Sequence, residues 1–173
     1  MERAYVLINC ETGDENSVIA NLKNIGSVKE VHGIFGAYDI IANLESDNQD
    51  EIRHDLTKAI RKIKKIRSTL TLIAQDADSP FAKKLDDEEK KVLEKYMAQA
   101  YVLIDCKKTD EYQVLRKLSQ IPEIIEGDIL IGSYDIVCRV IAPTYNDISD
   151  VVTKKIRKLE NIKATRTLNL IGE

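Results

Sequence analysis

The amino-acid sequence predicts an α+β protein built from two tandem ferredoxin-like βαββαβ modules, of the dimeric α/β sandwich or barrel type, joined by a helical linker. Three observations predict it. The chain repeats itself ninety-six positions on: Ala4-Tyr5-Val6-Leu7-Ile8-Asn9-Cys10 returns as Ala100-Tyr101-Val102-Leu103-Ile104-Asp105-Cys106, and Gly36-Ala37-Tyr38-Asp39-Ile40 returns as Gly132-Ser133-Tyr134-Asp135-Ile136. Within each copy, short apolar runs and stretches of helical spacing alternate in the order βαββαβ. Between the copies the composition turns charge-rich. The predicted boundaries are 1–74 for the first module, 75–99 for the linker and 100–173 for the second module.

The elements of one module follow from local pattern. Tyr5 to Cys10 is a short apolar run with β-branched residues, hence a strand apolar on both faces. Asp14-Glu15-Asn16 supplies first-turn acids and cap candidates. Val18, Ile19, Leu22 and Ile25 then recur at helical spacing until Gly26, as Val114, Leu115, Leu118 and Ile121 do until Pro122. Val28 to Phe35 reads as a second strand, Gly36-Ala37 as a turn and Tyr38 to Leu44 as a third strand. Ser46 to Asp50 offers caps for a long helix presenting Ile52, Leu56, Ile60 and Ile63, matched by Ile148, Val152, Ile156 and Leu159; Arg67 to Ile73 closes the module.

Both helices cover one face of such a sheet. The other side of the third strand carries Asp39, Ile41, Asn43 and Glu45, or Asp135, Val137, Arg139 and Ile141 in the second copy. So mixed a face on so small a module is expected to pack against another sheet, and the sister module is the obvious partner. A module of about 70 residues has a thin core and is marginal alone, so pairing is also expected on stability grounds. In the linker, Asp78-Ser79-Pro80 reads as a helix start, and Phe81, Leu85, Val92 and Tyr96 follow at roughly helical spacing, interrupted by Asp86-Asp87-Glu88-Glu89. The segment is expected to be a solvated connecting helix.

Composition removes several function classes. The 26 basic and 29 acidic side chains nearly cancel, so a general nucleic-acid binder is not expected. Cys10, Cys106 and Cys138 lack CxxC or zinc spacing, and two of them share one repeated strand position, which reads as buried thiols in a reducing cytoplasm. With no signal peptide and no apolar run of membrane length, a cytoplasmic location is expected. His32 and His54 are not repeated, the matching positions being Asp128 and Asp150, and make poor metal or catalytic candidates. No nucleophile with a base, no Gly-rich phosphate loop and no HExxH occurs, so neither an enzyme, a metal site nor a cofactor is expected.

Two features remain as ligand-binding candidates. Gly36, Tyr38 and Asp39, with Gly132, Tyr134 and Asp135, form the duplicated turn; its glycine and aspartate are explained either as hairpin structure or as the lining of a cleft for a small polar ligand. Thr69, Thr71, Thr165 and Thr167 alternate on the closing strands, either as ordinary strand residues or as hydroxyls for a ligand carboxylate. The basic run Arg61, Lys62, Lys64, Lys65 and Arg67, echoed by Lys154, Lys155, Arg157 and Lys158, reads as a solvated helix face.

The Tyr-Val-Leu-Ile first strand, the Gly-x-Tyr-Asp turn and the Thr-x-Thr-Leu closing strand, in that order and twice, resemble the ligand-binding (RAM) domain of the Lrp/AsnC transcriptional regulators over residues 3 to 74 and 99 to 172. The resemblance implies a domain that dimerises by packing sheets and assembles further. It also implies that amino acids or related effectors bind between dimers near the turn, which places Gly36, Tyr38, Asp39, Gly132, Tyr134 and Asp135 at the clefts, with Thr69, Thr71, Thr165 and Thr167 beside them. Family members usually carry an N-terminal helix-turn-helix domain. With the first strand beginning by Ala4, the chain looks like a tandem, stand-alone sensor without direct DNA binding, acting as a homo-oligomer or through full-length Lrp/AsnC regulators. Co-assembly with such regulators as a purely structural module, or a small enzyme on the same fold, are the alternative functions.

Overall fold

The computed structural model describes residues 1–75, 80–81 and 85–171. The chain divides into two compact units, Met1–Asp76 and Ala77–Glu173.

The first unit runs β1 (Glu2–Cys10), α1 (Glu15–Lys23), β2 (Val28–Phe35), β3 (Ile40–Ser46), α2 (Gln49–His54) and β4 (Ile66–Ala74). β1 pairs antiparallel with β3 and β4, and β2 with β3, giving the order β4-β1-β3-β2. Val6, Ile8, Ile40, Ala42 and Leu44 on the sheet meet Val18, Leu22, Ile52 and Ile60 from the helices in one core. Burying a side chain such as Leu22 contributes about 1.5–3 kcal/mol, which is what fixes the helices to that face. On the opposite face Tyr5, Leu7, Ile41 and Leu72 are buried as well.

The second unit repeats the plan after one extra helix. α3 (Asp87–Tyr96) leads into β5 (Ala98–Cys106), followed by α4 (Glu111–Ser119), β6 (Ile124–Ile131), β7 (Ile136–Ala142), α5 (Tyr145–Val151) and β8 (Ile162–Leu170). The strand order is β8-β5-β7-β6, and its core joins Val102, Ile104 and Val140 to Val114, Leu118, Ile148 and Ile156.

Three expectations shift. The third strand begins at Ile40 instead of Tyr38, because the N–H of Asp39 is taken by the carbonyl of Ile8, 2.9 Å away, and the residue belongs to the turn. The long second helix is α2 followed by a π-helical turn, Asp55–Ala59, in which Ile60 N–H reaches the Asp55 carbonyl at 2.9 Å. The Asp55 carboxylate at the start of this turn accepts from Ser27, from its N–H at 3.2 Å and from its hydroxyl at 2.5 Å, and the second module has a π turn of its own, Val152–Ile156. In the linker, the acidic run is no interruption but the start of α3. Asp86 caps the amide of Glu89 at 2.8 Å, and Asp87, Glu88 and Glu89 stand in the first turn, where the helix dipole favours negative charge. Asp78 and Ser79 lie outside the described residues. Phe81 and Leu85 precede α3, while Val92 and Tyr96 on it are exposed.

α3 is held to the second sheet by charge. Arg139 is fully buried on β7; its Nε donates to Gln99 Oε1 at 2.8 Å, Nη2 to Glu94 Oε1 on α3 at 3.1 Å, and its guanidinium lies 5.4 Å from the Tyr101 ring centre. Lys90 of α3 pairs with Glu126 of β6. A buried guanidinium without such partners would be strongly destabilising, so Glu94 and Gln99 are what make Arg139 tolerable there.

Phe81 fills the space left by the missing side chain of Gly127, where the first module has Val31. A Cβ on Gly127 would stand 2.6 Å from Phe81 Cε2 and 2.9 Å from Leu115 Cδ1. Gly127→Val should therefore destabilise the protein by about 1–3 kcal/mol through overpacking. Thermal melts of Gly127→Val, Phe81→Ala and the double variant should show most of that penalty gone when Phe81 is absent. An equal penalty in both backgrounds would contradict the packing.

Candidate functional site

The duplicated turn is first of all a knot of backbone hydrogen bonds. In the second module Asp135 donates its N–H to the carbonyl of Ile104 at 3.0 Å, and its carbonyl accepts from Leu130 N–H at 2.8 Å. Its Oδ2 accepts the N–H of Cys106 at 2.9 Å. The register of β5 against β8 slips between Asp105 and Cys106, which takes the Cys106 amide off the strand ladder and leaves the carboxylate to satisfy it. Asp39 does the same in the first module, its Oδ2 accepting from Cys10 N–H at 3.0 Å beside the slip at Asn9/Cys10. Gly36 and Gly132 have φ of 137° and 144°, a region that L side chains resist, so glycine is required where the hairpin reverses. Lys65 and Asn161, a repeat apart, share positive φ, and their carbonyls accept from Glu11 and Lys107 N–H at 2.8 and 3.2 Å.

These constraints open a cleft at the bulged end of β5. In the second module it has a volume of about 530 Å³ and is lined by Asp105, Cys106, Lys108, Gly132, Ser133, Asp135, Lys163 and Ala164. That is ample for a metabolite of amino-acid size, since small-ligand sites run from about 300 to 1,000 Å³. Burial, then the neighbouring Asp135, pushes the Asp105 carboxyl above its usual range, with Lys163 acting the other way. The same two causes raise Glu111 nearby, opposed by Lys108. Burial and then Asp135 push the Cys106 thiol up to about 11, and burial alone carries Cys138 up to about 12.

Of the residues expected from sequence, Gly132 and Asp135 line this cleft, and Gly36 and Asp39 hold the same places at the first module's turn. Tyr38 and Tyr134 are half-buried between those glycines and aspartates, and Tyr134 is not part of the lining. Thr165 and Thr167 pair with Ile104 and Val102, and Thr69 and Thr71 with Ile8 and Val6, so all four threonines stand on the helix-covered face of the sheet. Neither Thr165 nor Thr167 is part of the cleft lining. Sequence reasoning passed over Asp105, Lys108, Ser133, Lys163 and Ala164; the signal available was their position beside the strand-end cysteine and the turn in each copy.

The raised Asp105 carboxyl gives a test with a definite sign. A carboxyl held above its unfolded value binds its proton more tightly when folded, so it supports the fold at acid pH and works against it once ionised. Asp105→Asn, which installs the first module's residue, should melt above the parent protein at pH 7. The difference should vanish below about pH 4, where the unfolded carboxyl is protonated too. A melting temperature at or below the parent's at pH 7 would contradict the assigned electrostatics.

No curated protein matches the chain. Among solved structures, the siroheme decarboxylase NirDL matches 97% of this chain and 70% of its own at 9% identity with a TM-score of 0.70, a likeness of fold. FFRP-DM1 matches 43% of this chain and 100% of its own at 33% identity with a TM-score of 0.41. AsnC of E. coli matches 72% of this chain and 70% of its own at 20% identity with a TM-score of 0.43. The model of the Lrp/AsnC ligand binding domain matches residues 3–78 and 99–172, once over each module, and the chain belongs to that family.

Proposed function

We propose that the protein is a regulatory, effector-binding module of the Lrp/AsnC type, whose turn cleft takes a small metabolite of the amino-acid class and whose assembly, or contact with a partner regulator, responds to it. The observation that carries this reading is the charged cleft at the duplicated turn of a ligand-binding family member, with Asp135 fixed by backbone bonds at its wall. A rigid wall of backbone-anchored carboxylate needs no ordering when ligand arrives, which favours binding. The switch requires a ligand that prefers one assembly over another.

Binding without catalysis is part of the proposal. Thiols with values near 11 and 12 are almost wholly protonated at neutral pH, so Cys106 and Cys138 are poor nucleophiles. A second reading, assembly with other members of the family irrespective of ligand, is favoured by Phe35 and Ile131. These occupy equivalent positions beside the two turns and are each 58% exposed.

Titration calorimetry against the twenty standard L-amino acids, with light scattering of the same samples, tests the proposal. At least one amino acid should bind and change the assembled mass. Absence of binding across the panel, with a mass that never moves, would sink the effector reading and leave assembly alone.

A further inference from the structure

The two turn clefts share a backbone but not a chemistry. Positions ninety-six apart give Asn9 against Asp105, Thr12 against Lys108, Arg67 against Lys163 and Ser68 against Ala164, while Asp39 and Asp135 are common to both. The first module therefore has one carboxylate and one cation where the second has two of each. The partners differ too. Asn9 stands opposite Ser68 across the β1–β4 ladder and donates from Nδ2 to its hydroxyl at 3.4 Å. Asp105 stands opposite Ala164, which offers its carboxylate no donor.

Such an arrangement is costly without a ligand. Asp105 and Asp135 repel each other at the cleft wall, and burial adds to the cost of ionising Asp105. Among the described residues neither Lys108 nor Lys163 forms an ion pair. Two carboxylates and two ammonium groups, the latter acting on Asp105 and on Glu111 without closing an ion pair, line one cleft of about 530 Å³ and match a molecule carrying one charge of each sign.

We propose that the second module alone reads an amino-acid zwitterion, its α-ammonium held by Asp105 and Asp135 and its α-carboxylate by Lys108 and Lys163. This rests on the turn cleft being the effector site, and adds which module binds and which residues select. In the first module, Asn9 is engaged with Ser68 and Thr12 replaces a lysine, so the same molecule finds half the charges. Asp105 is the specificity-determining residue, because it converts a hydrogen-bonded amide position into the second half of an ammonium receptor.

Calorimetry on the full chain distinguishes this from the broader reading. Each L-amino acid that binds is compared with its N-acetyl and carboxamide derivatives, which remove one charge apiece. The expected result is one molecule per chain, with each derivative and Asp105→Asn about tenfold weaker or more, as lost charge-assisted bonds imply. The melting temperature of Asp105→Asn reports that it folds, and Lys163→Ala, at an exposed strand position, is a second variant for the same comparison. Two equivalent sites per chain, or affinity unchanged in the derivatives and both variants, would overturn the inference while leaving amino-acid binding intact. Failure of all amino acids to bind would overturn the effector reading and this inference with it.

Discussion

A carboxylate that accepts a backbone amide at a strand bulge organises each module. Where β1 and β5 slip register against their closing strands, one N–H leaves the ladder, and a half-buried amide without an acceptor is costly. Asp39 and Asp135 supply the acceptor while their own backbone groups bond the first strand and the hairpin, so a single residue joins three segments. A hydrogen bond to a charged acceptor contributes about 1.5–3 kcal/mol, enough to hold a hairpin tip but not to define a fold. The cleft is what remains between the bulged strand end, the turn and the start of the closing strand once that tie is made.

This ordering of causes explains how the two modules share the turn and still differ in the side chains around it. The tie uses one carboxylate oxygen, a glycine conformation and backbone atoms, none of which depends on the neighbouring side chains. Asp105, Lys108 and Lys163 are then free to differ from Asn9, Thr12 and Arg67 without disturbing the knot. Arg139 shows the same freedom elsewhere: the first module has Asn43 at that place, and the second accommodates a buried guanidinium by recruiting Gln99 and, from α3, Glu94. Duplication lets one copy pair Asn9 with Ser68 while the other places Asp105 opposite Ala164 on the same backbone.

The fold was legible because it rests on patterns that sequence displays directly. The repeat, the period of Val18, Ile19 and Leu22, and the glycine-aspartate turns fix the element order without knowledge of any contact. The π-helical turn at Asp55 was not legible, since an i, i+4 apolar stripe looks the same until one residue is inserted; the second module has its own π turn, Val152–Ile156, with Glu123 and Val151 in the places of Ser27 and Asp55, so the turn does not depend on the Ser27 bond. The start of α3 was misplaced because an acidic run interrupts an apolar stripe but also favours a helix N-terminus, and only the Asp86 cap decides between the two. At the site, Gly132 and Asp135 could be found from backbone requirements alone. Lys108, in the turn after β5, and Lys163, on the exposed start of β8, have only their position beside the strand-end cysteine to mark them, since an exposed lysine carries no pattern of its own. The threonines illustrate the converse: their alternation is real, but strand register sends them to the helix-covered face.

Hydrogen exchange at the Cys106 amide tests the carboxylate tie most directly. If Asp135 is the acceptor on which the turn depends, Asp135→Ala should speed exchange at Cys106 by about tenfold or more, the equivalent of the hydrogen bond lost, while the Leu103 amide in mid-strand stays within about twofold. An unchanged rate at Cys106 in that variant would contradict the account.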